Sequence, residues 1–340
     1  RAWGGNPTCT SPVPDDYDRL RTTLLKATKS ADIVVINAGS SAGSEDYTAR
    51  LVEELGNLLV HGVAVRPGHP VVLGIINDTP ILGIPGYPVS SVITCELFVK
   101  PLIERKLNTV IPKRPYVKAT VTRKVLSSIG EDEFLRVRLG RVNEKMVATP
   151  LQRGAGVITS LVNADGLTLV PRFSEGIEVG EEVTVELLRP LQDIEGTIVA
   201  NGSHDMTLDV LANHFRKRHP HLTLASSNIG SLGGLMALAR GEAHLAGSHL
   251  LGEQTGEYNL SFVHRYLKNR EIIILNLVRR IQGLIIPKDN PKNIASLRDL
   301  ARRDIRYINR QRGSGTRLLL DFQLRQLGIS ADKVNGYERE

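Results

Sequence analysis

The stretch IVVINAGSSAGSEDY, residues 33–47, passes from an apolar tetrapeptide through a glycine- and serine-rich turn into a segment of helical spacing. An apolar run as short as 33–36 predicts a buried strand, and the periodicity over 48–58 predicts an amphipathic helix. Between them, Gly39 and Gly43 let a ligand approach the backbone, while Ser40, Ser41 and Ser44 offer hydroxyls just before a helix N-terminus. Such a start carries unsatisfied N–H groups and the positive end of the helix dipole, which suits phosphate. Asp46, at the helix start, reads as an N-terminal charge that complements the dipole.

Outward from this stretch, apolar runs at 59–65, 71–76 and 81–84 and a helix at 89–106 continue the alternation, so residues 15–107 read as α/β. Two more loops share the chemistry of the first: HGVAVRPGHP at 61–70 and GIPGYPVSS at 83–91 set Gly and Pro beside a cation or a serine. Taken singly, each is an ordinary helix cap. From 112 to 190 the helical period fades into short alternating runs at 117–125, 134–142 and 183–188, the pattern of a small all-β module. After a linker at 191–195 the βα texture returns, with strands at 197–200 and 222–225, helices at 208–219 and 232–240, crossover strands at 272–277 and 283–286, and a strand at 306–309.

In this last part NGSHD, residues 201–205, and QRGSGTR, residues 311–317, each follow a strand and open a helix. Both therefore aim free backbone N–H groups at small oxyanions. The candidate oxyanion residues are Ser203, His204, Ser231, Ser248, Gly313, Ser314, Gly315, Thr316 and Arg317, with the imidazole of His249 nearby. Ser203, Ser314 and Thr316 also read as plain helix caps. A guanidinium one turn into a helix is disfavoured by the dipole, so Arg317 points to an anion beside it.

Composition bounds the rest. A chain of 340 residues exceeds what one core usually serves, so two or three domains are expected. No apolar run approaches the roughly 18 residues that span a bilayer, which argues against a membrane segment. Net charge is +7, but the basic residues, Arg279 and Arg280 among them, are scattered at helix or strand spacing and read as solvated faces. That excess suits small anionic ligands better than nucleic acid, for which no reading helix or continuous basic stripe is present. Cys9 and Cys95 lie far apart without metal spacing, so a reducing, cytoplasmic setting is expected. Arg1 in place of Met, and an abrupt close at 336–340, give the expectation of a chain cut at both ends.

The three loops, in this order and spacing, resemble the pterin-binding domain of the molybdopterin molybdenumtransferase family, whose pattern reads roughly GGxSxGxxDY, HxVxxxPGKP and GLPGNPVS. His69 stands where that family usually has lysine, and Tyr87 where it has asparagine. The β module resembles the family's small C-terminal barrel. The resemblance implies insertion of molybdate into adenylylated molybdopterin with Mg2+, release of AMP, and a homodimer formed through the enzyme part. It implies Asp46, Asp15 and Asp16 as catalytic residues, with Asp46 on the metal. Gly39, Ser40, Ser41, Gly43, Arg66, Pro67, Gly68, His69, Gly86, Pro88 and Ser90 are implied around the pterin.

The last part is similar to type II periplasmic-binding-protein-like domains, which implies a two-lobed α/β receptor, incomplete here, that senses or supplies molybdate or tungstate. The expected architecture is thus α/β throughout except for the barrel: a partial three-layer pterin-binding domain (1–110), the barrel (111–190) and the receptor domain (191–340). A pterin- and oxyanion-sensing module without catalysis is the alternative.

Overall fold

The computed structural model describes residues 1–37, 47–268 and 270–340, so the first loop lies outside the described residues apart from Tyr47. The chain divides into two units, Arg1–Thr197 and Ile198–Glu340.

The first unit opens with α1 (Tyr17–Ala27), β1 (Val34–Asn37), α2 (Tyr47–Leu55), β2 (Asn57–His61), β3 (Val65–Arg66), β4 (Val72–Ile76) and β5 (Thr79–Ile84), followed by α3 (Pro88–Thr94) and α4 (Lys100–Leu107). Four of the strands form a sheet in the order β1-β5-β4-β2, with β1 parallel to β5 and the other pairs antiparallel. Asn77 and Asp78, both at positive φ, make the two-residue turn that joins β4 to β5, a conformation Asn and Asp tolerate. Alternation along the strands sends neighbours to opposite faces. Val72 and Ile81 pack under α1 and α2 with Leu24 and Val52, whereas Leu73 and Leu82 pack with Val99, Leu102 and Ile103. Helices on both faces make three layers.

The single helix expected at 89–106 is broken by a π segment, Cys95–Val99, between α3 and α4. Pro101, in the first turn of α4, has no N–H to offer the preceding turn, and a widened turn accommodates it.

The barrel follows: β6 (Tyr116–Val121), β7 (Val125–Leu126), β8 (Asp132–Val142), β9 (Lys145–Pro150), α5 (Ile158–Val162), β10 (Gly166–Val170), β11 (Gly176–Ile177), β12 (Glu182–Leu187) and α6 (Leu191–Glu195). The order β10-β12-β6-β9-β8, with β10 also paired to β8, closes a five-stranded barrel. On its outside, β3 adds in parallel to β8, with Val65 opposite Asp132, and so ties the second loop to the barrel. Its core is Val121, Leu135, Val137, Leu139 and Val185, plugged by Ile194 of α6, so the stretch read as a linker packs as part of this module.

In the second unit β13 (Thr197–Gly202), α7 (Met206–Arg218), β14 (Thr223–Asn228), α8 (Gly230–Arg240) and β15 (Leu245–Gly247) build a sheet of order β14-β13-β15. After α9 (Leu260–Tyr266), α10 (Gly315–Gln326) buries Leu320 and Leu324 against Leu300, Ile305 and Val334. The crossover strands expected at 272–277 and 283–286 are not formed. Ile273, Leu275, Ile281 and Ile285 are exposed, and among the described residues no backbone group of 272–286 is hydrogen-bonded to another backbone group. An apolar run makes a strand only where a partner edge meets it, and among the described residues none does. The segment expected as a strand at 306–309 is held by two isolated bonds, from the N–H groups of Tyr307 and Asn309 to the carbonyls of Asn335 and Arg339.

Candidate functional site

One end of the first unit's sheet gathers the strand ends that flank the three loops. Asn37, from which the first loop departs, lies beside Ile84, from which the third departs, because β1 and β5 run parallel. His61 and Val72, which bracket the second loop, pair with each other, and Val72 pairs with Gly83. Gly39, Ser40, Ser41, Gly43 and Asp46 lie outside the described residues.

The second loop leans on the helix of the third. Gly68 has a φ of 132°, and a Cβ there would meet Thr94 Cγ2 at 2.8 Å. Pro67 is half-buried, whereas Arg66 is exposed, with Nη1 3.2 Å from Ser128 Oγ. His69 Nδ1 sits 3.0 Å from Glu131 Oε1, so this ring is turned to a carboxylate of the barrel module. In the third loop Gly86 and Pro88 are exposed and Pro88 starts α3, where a missing N–H costs nothing. Ser90 is buried on the inner side of α3, with only 3% of its surface exposed, and is placed for packing. Asp16 caps α1, its Oδ1 accepting the Arg19 N–H at 2.9 Å, while Asp15 is exposed. The Tyr17 ring meets that of Tyr47 edge-on, so the acidic pair stands near the start of α2, into which the first loop leads. Among the described residues no three His, Cys, Asp or Glu side chains cluster as a metal site.

The barrel brings a contribution absent from the sequence reading. The loop at 152–156 abuts the third loop: Ala155 O accepts the Val89 N–H at 3.1 Å, and the Tyr87 ring covers Gly156 at 3.5 Å from where its Cβ would be. Arg136 holds this loop from inside, donating from Nη2 to the carbonyls of Gln152 and Gly154 and from Nε to Ser160 Oγ. Burial lowers its guanidinium's affinity for the proton, as it does for Arg123, which lies against the carbonyls of Pro150 and Leu151. Arg153 pairs with Glu133 at 3.0 Å. Arginines facing one glutamate leave this end of the barrel electropositive. No signal in the sequence marked it, because Arg136 alternates with the core residues Leu135, Val137 and Leu139 and so falls on the face of β8 away from the barrel core.

The second unit rearranges its expected ligands. Arg317 does have anions beside it, but they are its own: Nη1 donates to Glu340 Oε1 at 2.8 Å, Nη2 lies 3.3 Å from Glu338 Oε2, and the guanidinium stacks 4.8 Å above the Tyr337 ring. It is 5% exposed and does not face an open site. Ser314 caps α10 by accepting the Arg317 N–H, Ser248 bonds Asn259, and His204 Nε2 turns to Asp209 at 3.6 Å. The Ser203 N–H is bonded to Gly247 O, and Gly313 is exposed. Asp205 caps α7 through Thr207, which, with Arg280, brings its carboxyl down to about 2. What does converge is Ser231, His249, Gly315 and Thr316. Ser231 Oγ lies 3.2 Å from His249 Nδ1, a Cβ at Gly315 would meet His249 Nε2 at 2.8 Å, and Thr316 Oγ1 is 3.5 Å from Gln282 Oε1. Burial, then Arg280, lowers the proton affinity of His249.

Comparison with known proteins matches these parts in order. Residues 1–105 fit the family described as "Probable molybdopterin binding domain", residues 118–188 the "MoeA C-terminal region (domain IV)" and residues 212–340 the "PBP superfamily domain". A Methanocaldococcus jannaschii protein named provisionally for molybdopterin biosynthesis is 39% identical over 52% of this chain and 42% of its own length. The molybdopterin molybdenumtransferase of Bacillus subtilis is 30% identical over 55% of this chain and 44% of its own. The crystal structure of a molybdopterin biosynthesis MoeA protein from Pyrococcus horikoshii aligns with a TM-score of 0.43 at 37% identity, covering 52% of this chain and 42% of that one. This chain spans less than half the length of each of these relatives. It carries a molybdopterin-binding domain and a MoeA-type C-terminal region, followed by a periplasmic-binding-protein-like domain.

Proposed function

We propose that the first unit binds adenylylated molybdopterin and takes part in inserting molybdate into it with release of AMP, and that the second unit binds molybdate or tungstate. The observation that supports the first half is that the strand ends flanking the three loops lie together at one end of the β1-β5-β4-β2 sheet, beside the arginine-rich end of the barrel. Crevices outside strand ends, lined by glycine turns and helix starts, hold phosphorylated ligands in α/β sheets. Arg66 supplies an exposed cation there, and Gly86 is exposed at the turn into α3. Mg2+ belongs to the proposal through Asp46 alone; Asp16 spends its carboxylate on a helix cap. Pairing of two copies through the first unit is part of the same reading.

The contact of His69 with Glu131 favours a second reading, in which the unit holds pterin without turnover, because that ring is not turned toward a phosphate. Incubating the chain with adenylylated molybdopterin, molybdate and Mg2+ and measuring AMP separates the two. Molybdate-dependent AMP release is expected. Bound pterin with no AMP would leave the sensing module standing and remove the transferase.

A further inference from the structure

Taking the second unit as the oxyanion site proposed above, we infer that Arg280 is the cation that reads the anion there. Arg317 is excluded from that task because Glu338, Glu340 and the Tyr337 ring enclose it. Arg280 sits on the irregular segment that passes both helix starts. Its Nε and Nη2 donate to Asp205 Oδ2 at 3.0 and 2.6 Å, and Nη2 also lies 3.2 Å from His204 O, at the start of α7. Two residues on, Gln282 reaches Thr316 in the first turn of α10. Residues 280–282 thus bridge the loops that the sequence marked as anion-binding.

The groups around Arg280 are arranged as donors. Ser231 Oγ accepts the His249 backbone N–H at 3.1 Å and lies 3.2 Å from His249 Nδ1. In the tautomer where Ser231 donates to Nδ1, the neutral imidazole carries its hydrogen on Nε2, the nitrogen that faces Gly315. A charged imidazole is disfavoured here by burial and by Arg280, so His249 serves as an uncharged N–H donor beside the backbone donors of α10. Asp205, held by Thr207, fixes one edge of the Arg280 guanidinium, and among the described residues Nη1 makes no hydrogen bond. Both Nη2 hydrogens are thus engaged, by Asp205 and the His204 carbonyl, and the oriented guanidinium presents the two hydrogens of Nη1 to a tetrahedral oxyanion, a placement that lysine does not reproduce.

Calorimetric titration of the full chain with molybdate, tungstate and sulfate tests this. Arg280→Ala is expected to weaken oxyanion binding at least tenfold with the melting temperature little changed, and Arg280→Lys, which keeps the charge without the fork, at least threefold. Should Arg280→Ala fail to fold, the lysine variant decides. Affinity unchanged in a folded Arg280 variant overturns the role of Arg280 and leaves the oxyanion reading intact, whereas no binding by the unaltered chain overturns both.

Discussion

Arg317 is a buried charge whose partners are Glu338 and Glu340, near in space but distant in sequence. Removing one member of such a group strands the other charges and opens a gap against Tyr337. Arg317→Ala is therefore expected to lower the melting temperature by on the order of 5 °C while leaving oxyanion affinity within about twofold; a tenfold loss of affinity with unchanged melting would reverse that assignment. The sequence pointed to an anion near this guanidinium, since the helix dipole opposes a cation in the first turn. It was silent on whether that anion was a ligand or a side chain, because residues 21 and 23 positions away enter only through the fold. Arg280 shows the converse. Next to Arg279 in an apolar run, it read as a solvated charge, and only its contact with Asp205 places it at a helix start.

Elements with a strong local period were legible: the strands and helices flanking the three glycine-containing loops fall within a few residues of the expected ones, as do α7, α8 and the start of α10. Those that depend on a partner were not. The runs at 272–277 and 283–286 have the apolar content of strands and, among the described residues, no edge to join, whereas the barrel strands, no richer in apolar residues, close on each other through the β10–β8 pairing. Tertiary placement also hid the loop at 152–156, whose meaning comes from the Val89 and Tyr87 contacts and from Arg136 behind it. Arg136→Ala removes charge-assisted bonds to two carbonyls and a serine, and a loss of about 3 kcal/mol in denaturant unfolding is expected. Arg136→Lys should recover less than half of it, since one ammonium does not reach all three acceptors; full recovery by lysine would mean that charge alone, and not the fork, holds the loop.

At the scale of the whole molecule, the first unit packs an open sheet and a closed barrel on buried cores, while the second leaves 272–286 without backbone partners among the described residues. Hydrogen exchange on the intact chain should therefore be complete within minutes across 272–286 and slow by orders of magnitude in β8 and β12. Protection of 272–286 in a dilute monomer would show a partner strand that this structure lacks. The most direct test of the central claim, that the first unit is built to hold molybdopterin, is equilibrium binding of adenylylated molybdopterin to the full chain and to Arg66→Ala. Saturable binding is expected, weakened about tenfold in Arg66→Ala with unfolding stability kept within about 0.5 kcal/mol, as suits an exposed side chain; no binding at high micromolar ligand, or equal affinity in the two proteins, would contradict the account.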